Sequence, residues 1–144
     1  MPSVSRTFSV SPPPARVVGY LKDFANAEDW DPGTQSCTRS GSGAVAEGAS
    51  WHNVSNIFGV TAELTYVLRE LRDDKLVFVG TNKSSTSTDT ISVVPDGTGS
   101  KLTYHADLQM NGAAKLLNPV MKLVFEKLAN DTEKQMVTVL NGLD

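Results

Sequence analysis

The stretch Gly112–Gly142 constrains the fold most. Leu117, Met121, Val124, Phe125, Leu128, Met136, Val139 and Leu140 recur at three- and four-residue steps, while Lys122, Glu126, Lys127, Glu133 and Lys134 fall mainly on the other side. That periodicity is the signature of an amphipathic helix, because 3.6 residues per turn puts such positions on one face. At ~1.5 Å per residue the helix is about 40 Å long, as long as a small domain is wide. Asn118-Pro119 interrupts the stretch. Proline lacks the helical N–H and clashes one turn back, but it suits a first helical position after an Asn cap. The pattern therefore predicts a short helical piece over 112–117 and a main helix that starts at Pro119 and stops at Asn141-Gly142.

Almost everything before this helix reads as strands. Val4–Ser11 alternates, with Val4, Phe8 and Val10 on one side and Ser5, Thr7 and Ser9 on the other. Ser11-Pro12-Pro13-Pro14 ends that strand, and Ser11 can cap the helix that follows. Val17, Val18, Tyr20, Leu21 and Phe24 then sit at helical spacing, with the helix ending near Lys22 or Asp23 and a second short turn over Ala25–Trp30. A weak strand signal spans Gln35–Gly43. Clearer strands follow at Ser50–Phe58, Thr61–Arg72, Lys75–Thr81, Thr86–Val94 and Ser100–Met110. Gly59, Asp73-Asp74 and Pro95-Asp96-Gly97-Thr98-Gly99 supply the turns. Such short connections argue for an antiparallel meander.

The 144 residues are the size of one domain, residues 1–144, with 40% apolar and 20% charged content. The net charge of -3, with the 13 basic residues scattered singly, leaves no footprint for nucleic acid. The one cysteine, Cys37, can form neither an internal disulfide nor a multi-thiolate metal site, and a lone thiol fits a reducing cytoplasm. Met1–Arg6 lacks the apolar core of a signal peptide, and no run of ~18 apolar residues exists to insert into a membrane. Neither a cofactor nor a metal is expected. The expected state is a monomer or weak homodimer in the cytoplasm.

The order is thus strand, short helix pair, six-strand meander and long helix. It resembles the helix-grip fold of the START-like superfamily, which includes the polyketide cyclase/dehydrase and lipid-transport proteins and the birch-pollen-allergen-like proteins. The local match is strongest over Val10–Asp23 followed by Trp30-Asp31-Pro32-Gly33, a pattern with which bacterial members often open. Gly48-Ala49-Ser50-Trp51 and Asp96-Gly97-Thr98 are similar to them too. The resemblance implies an α+β fold in which a curved antiparallel sheet of about seven strands wraps a long C-terminal helix, with a hydrophobic pocket between them.

Strand alternation names the inward set. It comprises Trp51, Asn53, Ser55 and Ile57; Ala62, Leu64, Tyr66 and Leu68; Leu76 and Phe78; and Leu102, Tyr104, Ala106, Leu108 and Met110. The helix adds Leu117, Met121, Val124, Phe125 and Leu128, and Trp30 can close one end. The candidate ligand-binding residues within this set are Trp30, Trp51, Asn53, Ser55, Leu64, Tyr66, Phe78, Tyr104, Leu117, Met121, Val124 and Phe125. A mostly apolar surface with a few polar groups suits a small-molecule site. The same apolar residues would serve equally as plain core.

Signals for catalysis are sparse. His52 and His105 point outward in this register, with no carboxylate at ligand spacing. No serine has a nucleophile-elbow setting and no glycine run fits a phosphate loop. Asp131, Thr132 and Gln135 interrupt the helix stripe, so Asp131 either faces an apolar space as an acid or base or lies at a wet sheet edge. The reading that follows is a carrier or sensor for an apolar small molecule such as a lipid or polyketide-like compound. A cyclase/dehydratase-type enzyme using Asp131, Tyr66 or Tyr104, and a protein-interaction module with no ligand, are the alternatives.

Overall fold

The computed structural model describes residues 3–57, 59–110 and 119–143. Seven strands, β1 (Ser3–Val10), β2 (Thr34–Ser40), β3 (Ser50–Ile57), β4 (Val60–Leu71), β5 (Lys75–Thr81), β6 (Ser85–Asp96) and β7 (Gly99–Met110), form one sheet. Helix α1 (Pro14–Leu21), a 3₁₀ turn at Phe24–Asn26 and the short α2 (Ala27–Trp30) lie between β1 and β2, and α3 (Pro119–Asn141) follows β7. The strand order is β1-β7-β6-β5-β4-β3-β2, with every neighbouring pair antiparallel. Consecutive strands pair from β2 to β7, and β1 closes onto β7. The meander, the helix pair and a helix over Pro119–Asn141 are as the sequence predicts, while the predicted break before Pro119 lies outside the described residues. The 112–117 helical piece lies outside the described residues.

Two strand ends moved by more than one residue. The strand expected over Gln35–Gly43 ends at Ser40, because Gly41 and Gly43 adopt φ of 98° and 90°, which a continuing strand does not allow. Strand β6 runs on to Asp96, leaving only Gly97 and Thr98 as the turn, and Gly97 has the positive φ of 61° that a tight hairpin needs.

Helix α3 packs against β1 and α2. Among its described side chains, Ala129, Thr132, Met136 and Leu140 are buried and lie from its middle onward, whereas Val124, Phe125 and Leu128 are half-buried. Two polar clamps hold it. Arg6 on β1 donates to Glu126 Oε1 at 2.7 Å and to Asn130 Oδ1 at 3.0 Å. The Ser11 backbone N–H donates to Asn141 Oδ1 at 2.8 Å, and its hydroxyl lies 3.2 Å from the same oxygen. Ser11 is therefore not the cap of α1. Pro13 occupies that position, with no side-chain hydrogen bond.

The inner face of the sheet is graded. At the end nearest α1, Val17, Leu21, Leu68, Leu76, Phe78, Ile91, Val93 and Leu102 are fully enclosed with Met136 and Leu140. Toward the β3–β4 turn, the inward residues Ser55, Ala62, Leu64, Ser87, Ala106, Leu108 and Met110 are only partly covered.

Candidate functional site

Cross-strand register builds the inner face in rows. Leu76, Ile91, Tyr104 and Arg6 form one row, and Phe78, Asp89, Ala106 and Val4 the next. The third row holds Tyr66, Gly80, Ser87 and Leu108. Asp89 thus stands inside the sheet's concave face, between Phe78 and Ala106, and is 6% exposed. Tyr104 lies diagonally from it on the same face. Asp89 was not among the sequence candidates, and β6 had no inward set. The signal was there: Asp89, Ile91 and Val93 alternate at period two.

Gly80 explains how Tyr66 reaches this group. A Cβ on Gly80 would lie 2.6 Å from Tyr66 Cζ, so the phenol lies flat across the bare backbone of β5. Its hydroxyl end then borders Ser87, the cross-strand neighbour of Gly80, and interacts with it. Glycine inside a strand commonly marks such a close approach.

A second carboxyl belongs to Asp31, at the end of α2. Its Oδ1 accepts from the Gly33 N–H at 3.1 Å and its Oδ2 from the Thr34 hydroxyl at 2.9 Å. Behind Thr34 runs a relay. Ser55 Oγ donates to Asn53 Oδ1 at 2.6 Å, and Asn53 Nδ2 donates to Thr34 Oγ1 at 3.1 Å. Every donor in this chain points toward Asp31, so Ser55 and Asn53 orient the carboxyl from a distance.

Burial sets the electrostatics. Asp89 is pushed up to about 7, by desolvation first and then by the negative charge of Asp31, with the Ser87 hydroxyl opposing weakly at 3.5 Å. Desolvation also raises Asp31, against the bonds from Thr34 and Gly33. The phenols of Tyr66 and Tyr104 are raised well above their ordinary value by burial and then by Asp89. No basic side chain among the described residues offsets these charges at Asp89. Burial pushes the Cys37 thiol up to about 11, so at neutral pH it is an inert, enclosed group.

The other candidates sort by what they touch. Phe24 packs on Tyr66 and Phe78 with ring centroids 4.5 Å apart in each case, and edge-on to Trp30 and Trp51. Trp51 and Phe78 are sealed beneath it at 0% exposure. The Trp51 indole N–H is satisfied by Asp23 Oδ1 at 3.0 Å. Trp30 is as deeply buried, meets Tyr104 edge to face at 6.1 Å, and has an indole N–H with no partner among the described residues. Leu64 is half-buried on β4. Leu117 and the side chain of Met121 lie outside the described residues. Asp131 is tied to Lys127 at 3.0 Å on the flank of α3, and the Thr132 hydroxyl bonds back to Leu128 O at 2.8 Å. His52 and His105 are exposed, and His52 pairs with Glu63 at 2.8 Å.

The family model described as polyketide cyclase / dehydrase and lipid transport matches residues 1–140. The chain belongs to that family. Solved structures similar to this family member include a START superfamily protein from Mycobacterium smegmatis, 14% identical, with 96% of each chain covered and a TM-score of 0.79. A STAR-related lipid transfer protein from Xanthomonas axonopodis is 13% identical over 96% of this chain and 85% of its own, with a TM-score of 0.76. The ZhuI aromatase/cyclase of a Streptomyces species is 16% identical over 97% and 91%, with a TM-score of 0.72. At these identities the likeness is one of fold. No curated protein sequence matches this family member. No helix among its described residues is long and apolar enough to cross a membrane.

Proposed function

We propose that this protein binds an apolar small molecule, as a carrier or sensor, between the partly covered end of its sheet and α3. The observation that carries this reading is the grading of the inner face. A protein needing only a core has no reason to leave Leu64, Ala106 and Leu108 half-covered on the sheet face that holds buried Tyr66, Tyr104 and Asp89, near half-buried Asp31, and to leave Val124 and Phe125 half-covered on α3. The family description and the lipid-transfer and aromatase/cyclase neighbours support the same class of ligand. Apolar burial drives such binding at ~25 cal/mol per Å² removed from water, so it carries a negative heat-capacity change and depends little on salt. A calorimetric and thermal-shift screen of uncharged polycyclic and long-chain compounds tests this. Binding at roughly micromolar Kd with a raised melting temperature is expected. No binder in such a screen would leave the interaction-module reading in its place. For that alternative, the exposed large apolar residues among those described are Val60, Val94 and Leu123, on three different elements.

Asp89 favours a second reading, a cyclase/dehydratase-type reaction in the same place. A buried carboxyl that titrates near 7 can both give and take a proton at neutral pH. Turnover of a bound ligand that Asp89→Asn abolishes while binding persists would separate this reading from simple carriage.

A further inference from the structure

The partly covered inner face is acidic at its polar end. Two carboxyls, Asp31 and Asp89, share it with two phenols. The one basic side chain on an inward position of β1, Arg6, is already committed to Glu126 and Asn130 of α3. Arg39, on β2, donates through Nη1 and Nη2 to the backbone carbonyls of Gly43 and Ala44, while its buried Nε–H has no partner among the described residues. Among the described residues Ser87 is the only hydrogen-bond partner of the Asp89 carboxyl, through Oδ1 alone. The Tyr104 hydroxyl, on a residue 8% exposed, has no hydrogen-bond partner among the described residues. The Trp30 indole N–H beside it is also unpartnered. Unsatisfied polar groups are exceptions inside folded proteins, and a bound ligand is one way to complete them.

We infer that, if the pocket reading holds, its preferred occupant is an apolar skeleton carrying a basic nitrogen, and that anionic amphiphiles such as fatty-acid carboxylates are rejected. A protonated amine donates to the free carboxylate oxygen of Asp89 and toward Asp31, and the rings of Tyr104 and Trp30 offer π faces to the same cation. An oxygen acceptor elsewhere on the skeleton would satisfy the Trp30 N–H. A carboxylate in the same position meets two like charges, with no compensating cation among the described residues.

Three naphthalene probes that differ only at the polar end test this: naphthylmethylamine, naphthylmethanol and naphthoate, titrated calorimetrically at pH 8. The amine is expected to bind about tenfold or more tighter than the alcohol, and naphthoate weakest. The groups bordering Asp89 are Asp31, Tyr66 and Tyr104, with Cys37 coupled in turn to Asp31 and Tyr66, while Arg6 stays paired with Glu126. Asp89 is raised to about 7, so amine affinity falls between pH 8 and pH 6 and alcohol affinity does not. Asp89→Asn removes the advantage of the amine over the alcohol. Should that variant fail to fold, the pH dependence of the native protein decides. Alcohol or naphthoate binding as tightly as the amine overturns the inference and leaves the pocket standing. Binding by none of the three overturns the pocket reading with it.

Discussion

The phenol of Tyr66 lies across Gly80, close enough that a methyl group on that glycine would come within 2.6 Å of the ring. This contact sets where the Tyr66 hydroxyl stands, next to Ser87 and in the field of Asp89. Gly80→Ala therefore displaces the ring, at a cost of about 1–3 kcal/mol for overpacking. Combining it with Tyr66→Ala removes the clash, so the two changes are expected to be non-additive by about 1 kcal/mol or more in a denaturation double-mutant cycle. Additive costs would mean that the ring is not held there.

Trp30 and Trp51 are both buried and differ in one bond. Trp51 donates to Asp23, and the Trp30 N–H has no partner among the described residues. Trp51→Phe loses a hydrogen bond to a carboxylate as well as volume, and Trp30→Phe loses volume alone. Chemical denaturation is expected to find Trp51→Phe costlier by about 1–2 kcal/mol. Ligand binding should respond in the opposite order, with Trp30→Phe the more harmful.

The Asp89 carboxyl is raised to about 7 in the folded protein, above the ordinary value of 3.8 that it regains on unfolding. The folded state then holds a proton that the unfolded chain has released, so stability falls as pH rises from about 4 to about 7 and levels off above. The shift corresponds to about 4 kcal/mol across that window, and Asp31 contributes with the same sign. Asp89→Asn mimics the protonated form and is expected to flatten most of the slope. Urea melts at pH 4.5, 6 and 8 provide the check. An unchanged slope in the variant would assign the effect elsewhere.

Leu128 and Met136 lie eight residues apart on α3, at different depths. Met136 is fully enclosed among the core residues, while Leu128 is half-buried. Met136→Ala is expected to cost about 2–5 kcal/mol, and Leu128→Ala clearly less, because part of its surface is already in water. Equal losses in thermal melts would show that the sheet covers both halves of α3 alike.

Local patterns in the sequence carried most of the fold. Period-two alternation placed Trp51 and Asn53, Leu64 to Leu68, Leu76 and Phe78, and Leu102 and Tyr104 on the inner face, and the structure puts them there. The apolar periodicity from Met121 to Leu140 marked α3. The polar end of the site was less legible. On β6, threonines and serines on both faces hid the inward position of Asp89, although its spacing to Ile91 and Val93 showed it. Asp31 stood only in the Trp30-Asp31-Pro32-Gly33 match, and the fold alone brings it near Asp89. Partners distant in sequence were invisible: Trp51 to Asp23 across 28 positions, and Ser11 to Asn141 across 130. Ser11 looked like a local cap because a nearby helix is all that the flanking residues reveal.

The pairing of β1 with β7, and the clamps from Arg6 and Ser11 to α3, join the first residues of the chain to the last. During synthesis the consequence is one of timing. Strands β2 to β7 can pair in turn as each leaves the ribosome, since every partner is the preceding strand. Strand β1 is made first yet has no edge to join until β7 emerges, and α3 is later still. At ~5–20 residues per second its apolar Val4, Phe8 and Val10 wait for several seconds, unsheltered, for a closing step of very high contact order. The first strand is thus the segment of the nascent chain most in need of a chaperone, and a ribosome-stalled chain ending before β7 is where that dependence would be read.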